Sequence, residues 1–257
     1  MGECPAGGLL GAVVVAADGL PSASAYGGRC GNSIAPGGLP ANDLRMSSML
    51  LTERMALRRM TGADAVNLVS LDGDPLVMRF LDRKIRSLAE IRDEVIPHLT
   101  GCHRRYPGFG YWAAELRTGG EFIGWFGLWP VMPADQAMVH WPDPVGVPEV
   151  AELGYRLRHS TWGHGYATEG ARAVVRRAFT ELAVREIVAT TMAVNAGSRR
   201  VMEKAGLTFA RTVHLDWPDP LNGTEHGEVE YRLLRDDWIR SARSAGRPDA
   251  RADRPEL

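Results

Sequence analysis

The stretch WGHGYATEG, residues 162–170, places two glycines on either side of a histidine, directly before an apolar pattern of helical period. Glycine lacks the Cβ atom that would keep a ligand away from the backbone. The helix that follows offers backbone N–H groups without intrahelical partners and a partial positive charge. These features predict a cradle for a phosphate group at Gly163 and Gly165.

Two widespread phosphate-binding motifs do not match. A P-loop needs Gly-x-x-x-x-Gly-Lys-Ser/Thr, and no segment of the chain has that pattern. The dinucleotide fingerprint Gly-x-Gly-x-x-Gly fails because Thr168 stands at its third fixed position, and Gly170 comes two residues later. The cradle therefore belongs to another class of protein.

The composition indicates a globular protein without a polyanionic partner. The chain has 257 residues, is 45% hydrophobic and 24% charged, and carries a formal net charge of −1, so no nucleic-acid partner is expected. Its three cysteines, at positions 4, 30 and 102, are far apart, which predicts neither disulfides nor a metal site and favours the cytoplasm. No apolar run reaches the roughly 18 residues that cross a bilayer, so no membrane partner is expected.

Composition also divides the chain into three parts. Residues 1–46 hold 10 of the 29 glycines and no sustained hydrophobic period, which predicts a flexible Gly-rich tail. Residues 241–257 are polar and are expected to form a disordered C-terminal tail. The folded domain is expected to cover residues 50–240.

Hydrophobic periods of 2 and 3.6 predict strands and helices in mixed order within that domain. Strands are expected at 53–60, 111–117, 122–129, 152–157, 187–193, 207–213 and 229–234. Helices are expected at 62–71, at 87–99 with Pro97 kinking or ending it, from 169 onward, and at 195–205. The proline-rich segment 130–148 is expected to be a long loop, and such loops are often functional.

The pattern Gly163-x-Gly165-x-Ala167, between a strand and a helix, resembles the coenzyme A pyrophosphate loop of the GNAT superfamily of N-acetyltransferases. Trp162 replaces the Arg or Gln of that consensus, and the run is similar to the RimJ/RimL-type branch, the ribosomal-protein N-terminal acetyltransferases and their relatives. Segments 52–60, 73–81 and 195–207 resemble other parts of that branch, in the same order. The resemblance implies an α/β fold with a central mixed, mostly antiparallel twisted sheet, flanked by helices, whose splayed strand pair holds coenzyme A.

The same resemblance implies acetyl-CoA as co-substrate and a set of cofactor-binding residues. That set is Leu157, Gly163, His164, Gly165, Tyr166, Ala167, Thr168, Asn195 and Arg200. The backbone N–H groups of residues 163–168 are expected to bind the phosphates. Asn195 has a second interpretation as a helix cap, and Arg200 has one as part of a solvated helix face.

Two residues are the candidates for proton transfer. Glu152 is expected to be the general base, with an ordinary solvent-exposed strand-end carboxylate as the alternative and Glu149 as its nearest competitor. Many relatives carry a catalytic Tyr where this chain has Met202, which leaves Ser198 as the substitute acid. The alternative for Ser198 is a hydrogen bond to the backbone.

The predicted function is transfer of an acetyl group from acetyl-CoA to a primary amine, by direct attack in a ternary complex. The acceptor is a ribosomal-protein N-terminus, another protein or a small molecule. The tryptophans at 125, 129, 141 and 217 lie near predicted loops that should face it; core packing is the alternative, and an acceptor wall is the interpretation for those at 141 and 217. A homodimer is compatible with the sequence. The alternative function is a non-catalytic module that binds acetyl-CoA as a sensor.

Overall fold

The computed structural model describes residues 49–81, 84–133, 138–140, 148–215, 217 and 219–245. The strands are β1 (Met49–Leu51), β2 (Met55–Arg59), β3 (Gly110–Leu116), β4 (Phe122–Pro133), β5 (Met138–His140), β6 (Val150–Leu157), β7 (Glu186–Met192), β8 (Thr208–Val213) and β9 (Glu228–Leu234). The helices are α1 (Ala65–Asp72), α2 (Pro75–Met78), α3 (Leu88–Glu90), α4 (Ile96–Arg105), α5 (Tyr166–Glu181), α6 (Ala196–Lys204) and α7 (Arg235–Ala245). The predicted tail at 1–46 lies outside the described residues.

One sheet joins these strands in the order β1-β2-β3-β4-β6-β7-β9-β8, with β5 attached to β4. Its neighbouring strands are antiparallel except for β6 and β7, which run parallel. The parallel pairing covers only residues 150–152 against 186–188. Because β6 continues to Leu157 and β7 to Met192, the two strands separate beyond Glu152. This is the splayed pair of the predicted fold, which is confirmed.

Helices cover both faces of the sheet around the splayed strands. Successive side chains of a strand point to opposite faces. The hydroxyl of Tyr155 accordingly contacts Ser198 of α6, whereas the guanidinium of Arg156 pairs with Asp72 of α1 on the other side. Helix α5 packs on the α6 side, where the ring of Phe126 lies against Gly170.

Three predicted boundaries are wrong. Helix α7 continues to Ala245, so residues 241–245 belong to a helix that Trp238 anchors to the Phe179 ring at 5.6 Å. Pro97 does not end its helix, because it occupies the first turn of α4 after a π-helical segment at 91–95. Residues 130–133 and 138–140 are strand and not loop, since pairing of β4 with β5 and β6 overrides the prolines.

The remaining part of the predicted loop, residues 134–137 and 141–147, lies outside the described residues. Within the described part of the chain, no helix combines the length and apolar character that a bilayer crossing needs.

Candidate active site

The glycine-rich loop connects the open end of β6 to the start of α5. Gly163 and Gly165 have φ angles of 79° and 82°, in the left-handed region that glycine adopts without strain. Gly165 is the N-cap of α5, and no side chain caps the helix. A Cβ atom added at Gly163 would meet nothing within 4 Å. A helix start without a side-chain cap, next to a glycine with open space around it, fits a phosphate group.

The side chain of Trp162 closes this loop on itself. Its indole N–H donates to the carbonyl of Leu157 at 2.9 Å, and its ring meets His159 edge-on at 5.0 Å. The carbonyl of Leu157, a predicted cofactor contact, thus holds the loop. Trp162 therefore stabilises the loop conformation from the position that holds Arg or Gln in the family consensus.

The side chains of His164 and Tyr166 flank the loop. The Nδ1 atom of His164 lies 2.8 Å from the carbonyl oxygen of Trp162, and its ring stacks on Tyr166 at 6.0 Å. With Ala167 and Thr168 at the start of α5, the predicted residues 163–168 come together at one helix N-terminus.

An ion pair beside the loop was missed by sequence reasoning. Arg54, in the turn between β1 and β2, forms an ion pair with Glu169 of α5 at 2.6 Å. Burial opposes ionisation of Glu169, but hydrogen bonds from Thr52 and Arg54 outweigh it and lower the pKa of that carboxyl group. Segment 52–60 contains Arg54 and segment 162–170 contains Glu169, but only the fold shows that the two residues meet.

Glu152 lies at the point where β6 and β7 separate, and it is 1% exposed. Its carboxylate accepts hydrogen bonds from the indole N–H of Trp129 at 3.2 Å and from the hydroxyl of Thr190 at 3.3 Å. The alternative of a solvent-exposed strand-end carboxylate is therefore wrong. Glu149, by contrast, lies at the surface beside Arg185.

Two glycines make room for the tryptophan that holds Glu152. A Cβ atom at Gly154 would come within 2.3 Å of the Trp129 ring, and one at Gly127 within 2.5 Å. Trp129 also stacks on Tyr111 at 5.0 Å. Trp125 and Trp129 are buried, in agreement with the alternative that they belong to the core, and Trp217 is half-buried. Trp141 lies outside the described residues.

Ser198 and Asn195 meet at the start of α6. The side chain of Asn195 caps the helix by accepting from the N–H of Ser198 at 3.2 Å, and its amide donates to Thr191 at 3.1 Å. The Oγ atom of Ser198 lies 3.0 Å from the hydroxyl of Tyr155, which also donates to the Ser198 carbonyl. Burial raises the pKa of Tyr155, so this hydroxyl keeps its proton. Sequence reasoning missed Tyr155.

The basic residues of α6 differ in their surroundings. Arg199 donates to the hydroxyl of Tyr231 at 3.1 Å and to the carbonyl of Ala193 at 3.0 Å, so it holds the helix against β9. Arg200 is exposed, in keeping with a solvated helix face. Met202, at the position of the usual catalytic Tyr, is fully buried.

A cavity of about 310 Å³ lies on the opposite face of the sheet from α6. Its lining includes Asp72, Arg79, Lys84, Leu221 and Asn222, so it joins the α1–α2 region to the loop before β9. Asp72 is the ion-pair partner of Arg156, which shares a strand face with Glu152. The cavity and Glu152 therefore lie on the same side of β6, although Glu152 is not one of the residues that line the cavity. No group of three or more potential metal ligands occurs among the described residues.

An uncapped helix N-terminus beside two splayed strands is an arrangement that can hold a phosphate-bearing carrier. Residues 54–208 match the family described as "Acetyltransferase (GNAT) domain". The chain belongs to this family: it is a GNAT N-acetyltransferase, and its co-substrate is acetyl-CoA.

Two relatives illustrate the similarity in sequence. The chain is 37% identical to the FsC-acetyl coenzyme A-N(2)-transacetylase of Aspergillus fumigatus, over 67% of this chain and 70% of the relative. It is 30% identical to the uncharacterized protein YkkB of Bacillus subtilis, over 69% of this chain and 95% of the relative.

Two solved structures share the fold. RimL, a ribosomal L7/L12 alpha-N-protein acetyltransferase in complex with coenzyme A, has a TM-score of 0.58 at 18% identity, covering 74% of this chain and 99% of its own. Aminoglycoside acetyltransferase AAC(6')-Ib, in complex with coenzyme A and kanamycin, has a TM-score of 0.56 at 22% identity, covering 73% and 99%. At these identities the likeness concerns the fold.

Proposed function

We propose that this protein transfers the acetyl group of acetyl-CoA to the primary amine of a small molecule, by direct attack in a ternary complex. The observation that carries the proposal is the buried Glu152, which lies at the vertex of the splayed strands and on the same face as the cavity. A covalent acetyl-enzyme has no support from Cys102, because this thiol is buried in α4 and burial raises its pKa.

Glu152 is the proposed general base. An amine must lose a proton to attack, and at pH 7 this costs about 1 kcal/mol for an α-amine but about 4–5 kcal/mol for a lysine-like amine. A carboxylate that is held by Trp129 and Thr190 has a defined position in which to accept that proton. Its burial keeps competing solvent away from the site.

Ser198 is the proposed acid for the departing sulfur, with Tyr155 behind it. Tyr155 has one hydroxyl proton, so when it turns from the Ser198 carbonyl to the Oγ atom of Ser198, the Ser198 proton is available for the sulfur. Asn195, Leu157, Arg200 and residues 163–168 are the proposed cofactor contacts. Glu152 and Ser198 lie on opposite faces of the sheet, and the gap between β6 and β7 connects the two faces.

The proposed acceptor is a small amine. A cavity of about 310 Å³ falls at the lower end of the range for small-molecule sites, and its lining mixes charged and apolar side chains. The 37% identical relative is named as an N(2)-transacetylase, which also directs attention to an amino nitrogen. A RimJ/RimL-type role on a ribosomal-protein N-terminus is the competing outcome of an acceptor screen. A cytoplasmic location is part of the proposal.

The test combines an amine screen with a matched pair of variants. Glu152→Gln should lower kcat about 100-fold or more and leave the KM for acetyl-CoA unchanged, because it removes the base and not the cofactor site. Glu149→Gln, which alters an exposed carboxylate three residues away, should leave both parameters within twofold. Unchanged turnover in Glu152→Gln would rule out this base, and acetyl-CoA binding without turnover of any amine would indicate a sensor.

A further inference from the structure

Arg54 reaches the glycine-rich loop from the turn between β1 and β2, more than a hundred residues earlier in the chain. Its Nη1 atom donates to the carbonyl of His164 at 2.9 Å. Its Nε atom donates to Glu169 at 2.7 Å, and its own backbone N–H donates to the other carboxylate oxygen at 2.8 Å. Its guanidinium also lies over the Tyr166 ring, 4.5 Å from the centre.

These contacts determine where a loop N–H group points. In a planar trans peptide the C=O and N–H groups point in opposite directions. Because Arg54 holds the carbonyl of His164, the N–H of Gly165 in the same peptide is directed away from Arg54. A Cβ atom at Gly165 would lie 3.5 Å from the guanidinium, an ordinary contact, so glycine is favoured here by its φ angle of 82° and not by lack of space.

Glu169 creates an electrostatic problem that Arg54 removes. The carboxylate lies in the first turn of α5, and its pKa is lowered despite burial, so it is ionised at neutral pH. A negative charge at this helix N-terminus repels the phosphates that the loop is built to bind. The ion pair with Arg54 compensates that charge at 2.6 Å while Arg54 stays 42% exposed beside the loop.

We propose that Arg54 is a positioning residue for the phosphates of acetyl-CoA: it orients the His164–Gly165 peptide and compensates the charge of Glu169. The inference rests on the proposed function, because it presumes acetyl-CoA in this loop. A purely structural tie between the β1–β2 turn and α5 would support the fold but would not distinguish ligands with phosphates from ligands without them.

The test is calorimetric titration of the full-length chain with coenzyme A and with pantetheine, which lacks every phosphate. Arg54→Ala should raise the Kd for coenzyme A about tenfold or more and leave the Kd for pantetheine within twofold. The charge-assisted hydrogen bonds that this variant loses support the loop that binds phosphates, and pantetheine has no phosphate to bind there. Arg54→Lys keeps the positive charge but not the planar guanidinium with its several N–H donors. Its Kd for coenzyme A should fall between those of Arg54→Ala and the wild type.

Glu169→Gln supplies the test of charge compensation. It breaks the same ion pair but removes the negative charge, so its Kd for coenzyme A should rise less than threefold. The double variant Arg54→Ala with Glu169→Gln should bind coenzyme A more tightly than Arg54→Ala alone. If Arg54→Ala does not fold, Glu169→Gln and Arg54→Lys still test the inference. A purely structural role of Arg54 predicts that each variant loses affinity for coenzyme A and for pantetheine by the same factor.

Arg117→Ala is the matched control. Arg117 donates to the carbonyls of Thr52 and Glu53 at 3.1 Å, so it holds the same turn without touching the loop. Its affinity for coenzyme A should stay within twofold of wild type. The inference is overturned if Arg54→Ala binds coenzyme A as wild type does, or loses pantetheine by the same factor. A wild-type chain that binds neither ligand would overturn the proposed function as well.

Discussion

Glu228, the first residue of β9, is a buried carboxyl group on the strand that pairs with β7. It is 8% exposed, and burial raises its pKa from 4.5 to about 8. Between about pH 4.5 and about pH 8, the folded state therefore keeps a proton on Glu228 that the unfolded state has released. Because the folded state binds more protons in this window, the free energy of unfolding should fall as the pH rises from about 4.5 to about 8.

Glu228→Gln should remove that pH dependence, because the amide cannot ionise. The variant should be more stable than wild type above about pH 8, by a few kcal/mol at most, and nearly equal to it below about pH 4.5. Urea unfolding at pH 5, 7 and 9 measures the difference. Glu230→Gln is the contrasting variant: it loses ion pairs to Arg211 and Arg232, so it should be destabilised. Equal pH profiles for wild type and Glu228→Gln would contradict the prediction.

Residues that act through local backbone chemistry were accessible from the sequence. Gly163 and Gly165 were predicted because a left-handed turn before a helix leaves a recognisable pattern. Asn195 as a helix cap was predicted for a similar reason. Arg54 and Tyr155 were missed, because their partners lie far along the chain and no local pattern marks such contacts.

At the scale of elements, α5 packs closely on the sheet because Gly170 has no side chain. A Cβ atom at Gly170 would come within 2.1 Å of the Phe126 ring, which is fully buried and cannot move aside cheaply. Gly197 of α6 is also helical, but a Cβ atom there would meet only the Asn195 side chain, at 3.7 Å. Both glycines therefore have a helical backbone, but Gly170 is tightly packed and Gly197 is not.

Replacing each glycine by alanine should change stability in opposite directions. Gly170→Ala should lower the free energy of unfolding by about 1–3 kcal/mol through overpacking. Gly197→Ala should raise it by up to about 1 kcal/mol, because alanine restricts the unfolded chain and favours helix. Urea titrations of both variants provide the measurement. A stabilised Gly170→Ala would mean that α5 is not held against Phe126.

The helices and strands of the domain were largely predictable, with errors at proline and at polar helix ends. Strands β3 and β4 were predicted at 111–117 and 122–129, and helix α5 followed from its apolar stripe. The predicted helix end at residue 99 was wrong because Pro97 lies in the first turn of α4, which continues to Arg105. Helix α7 was not predicted, and its last residues, 241–245, were assigned to the tail, because its many exposed polar residues hide the anchor Trp238.

For the whole molecule, we predict that residues 46–245 fold and bind acetyl-CoA as the full chain does. Every strand, helix and candidate site residue described above lies within that range. At 100 times its Kd, acetyl-CoA should stabilise both chains by about 2.7 kcal/mol, measured by thermal unfolding. A chain that ends at residue 234 lacks α7 and should melt at a lower temperature. Loss of the acetyl-CoA shift on trimming would contradict this domain boundary.

The sequence by itself determined the periodic elements, the turn at Gly163 and Gly165, and, by resemblance, the family and its co-substrate. These features depend on residues that are close together in the chain. The tertiary structure decided that Glu152 is buried at the vertex of β6 and β7, that Trp129 and Thr190 hold it, and that Arg54 supports the loop. Those contacts depend on strand order and on the splay of a parallel pair, which arise only when distant segments pack together.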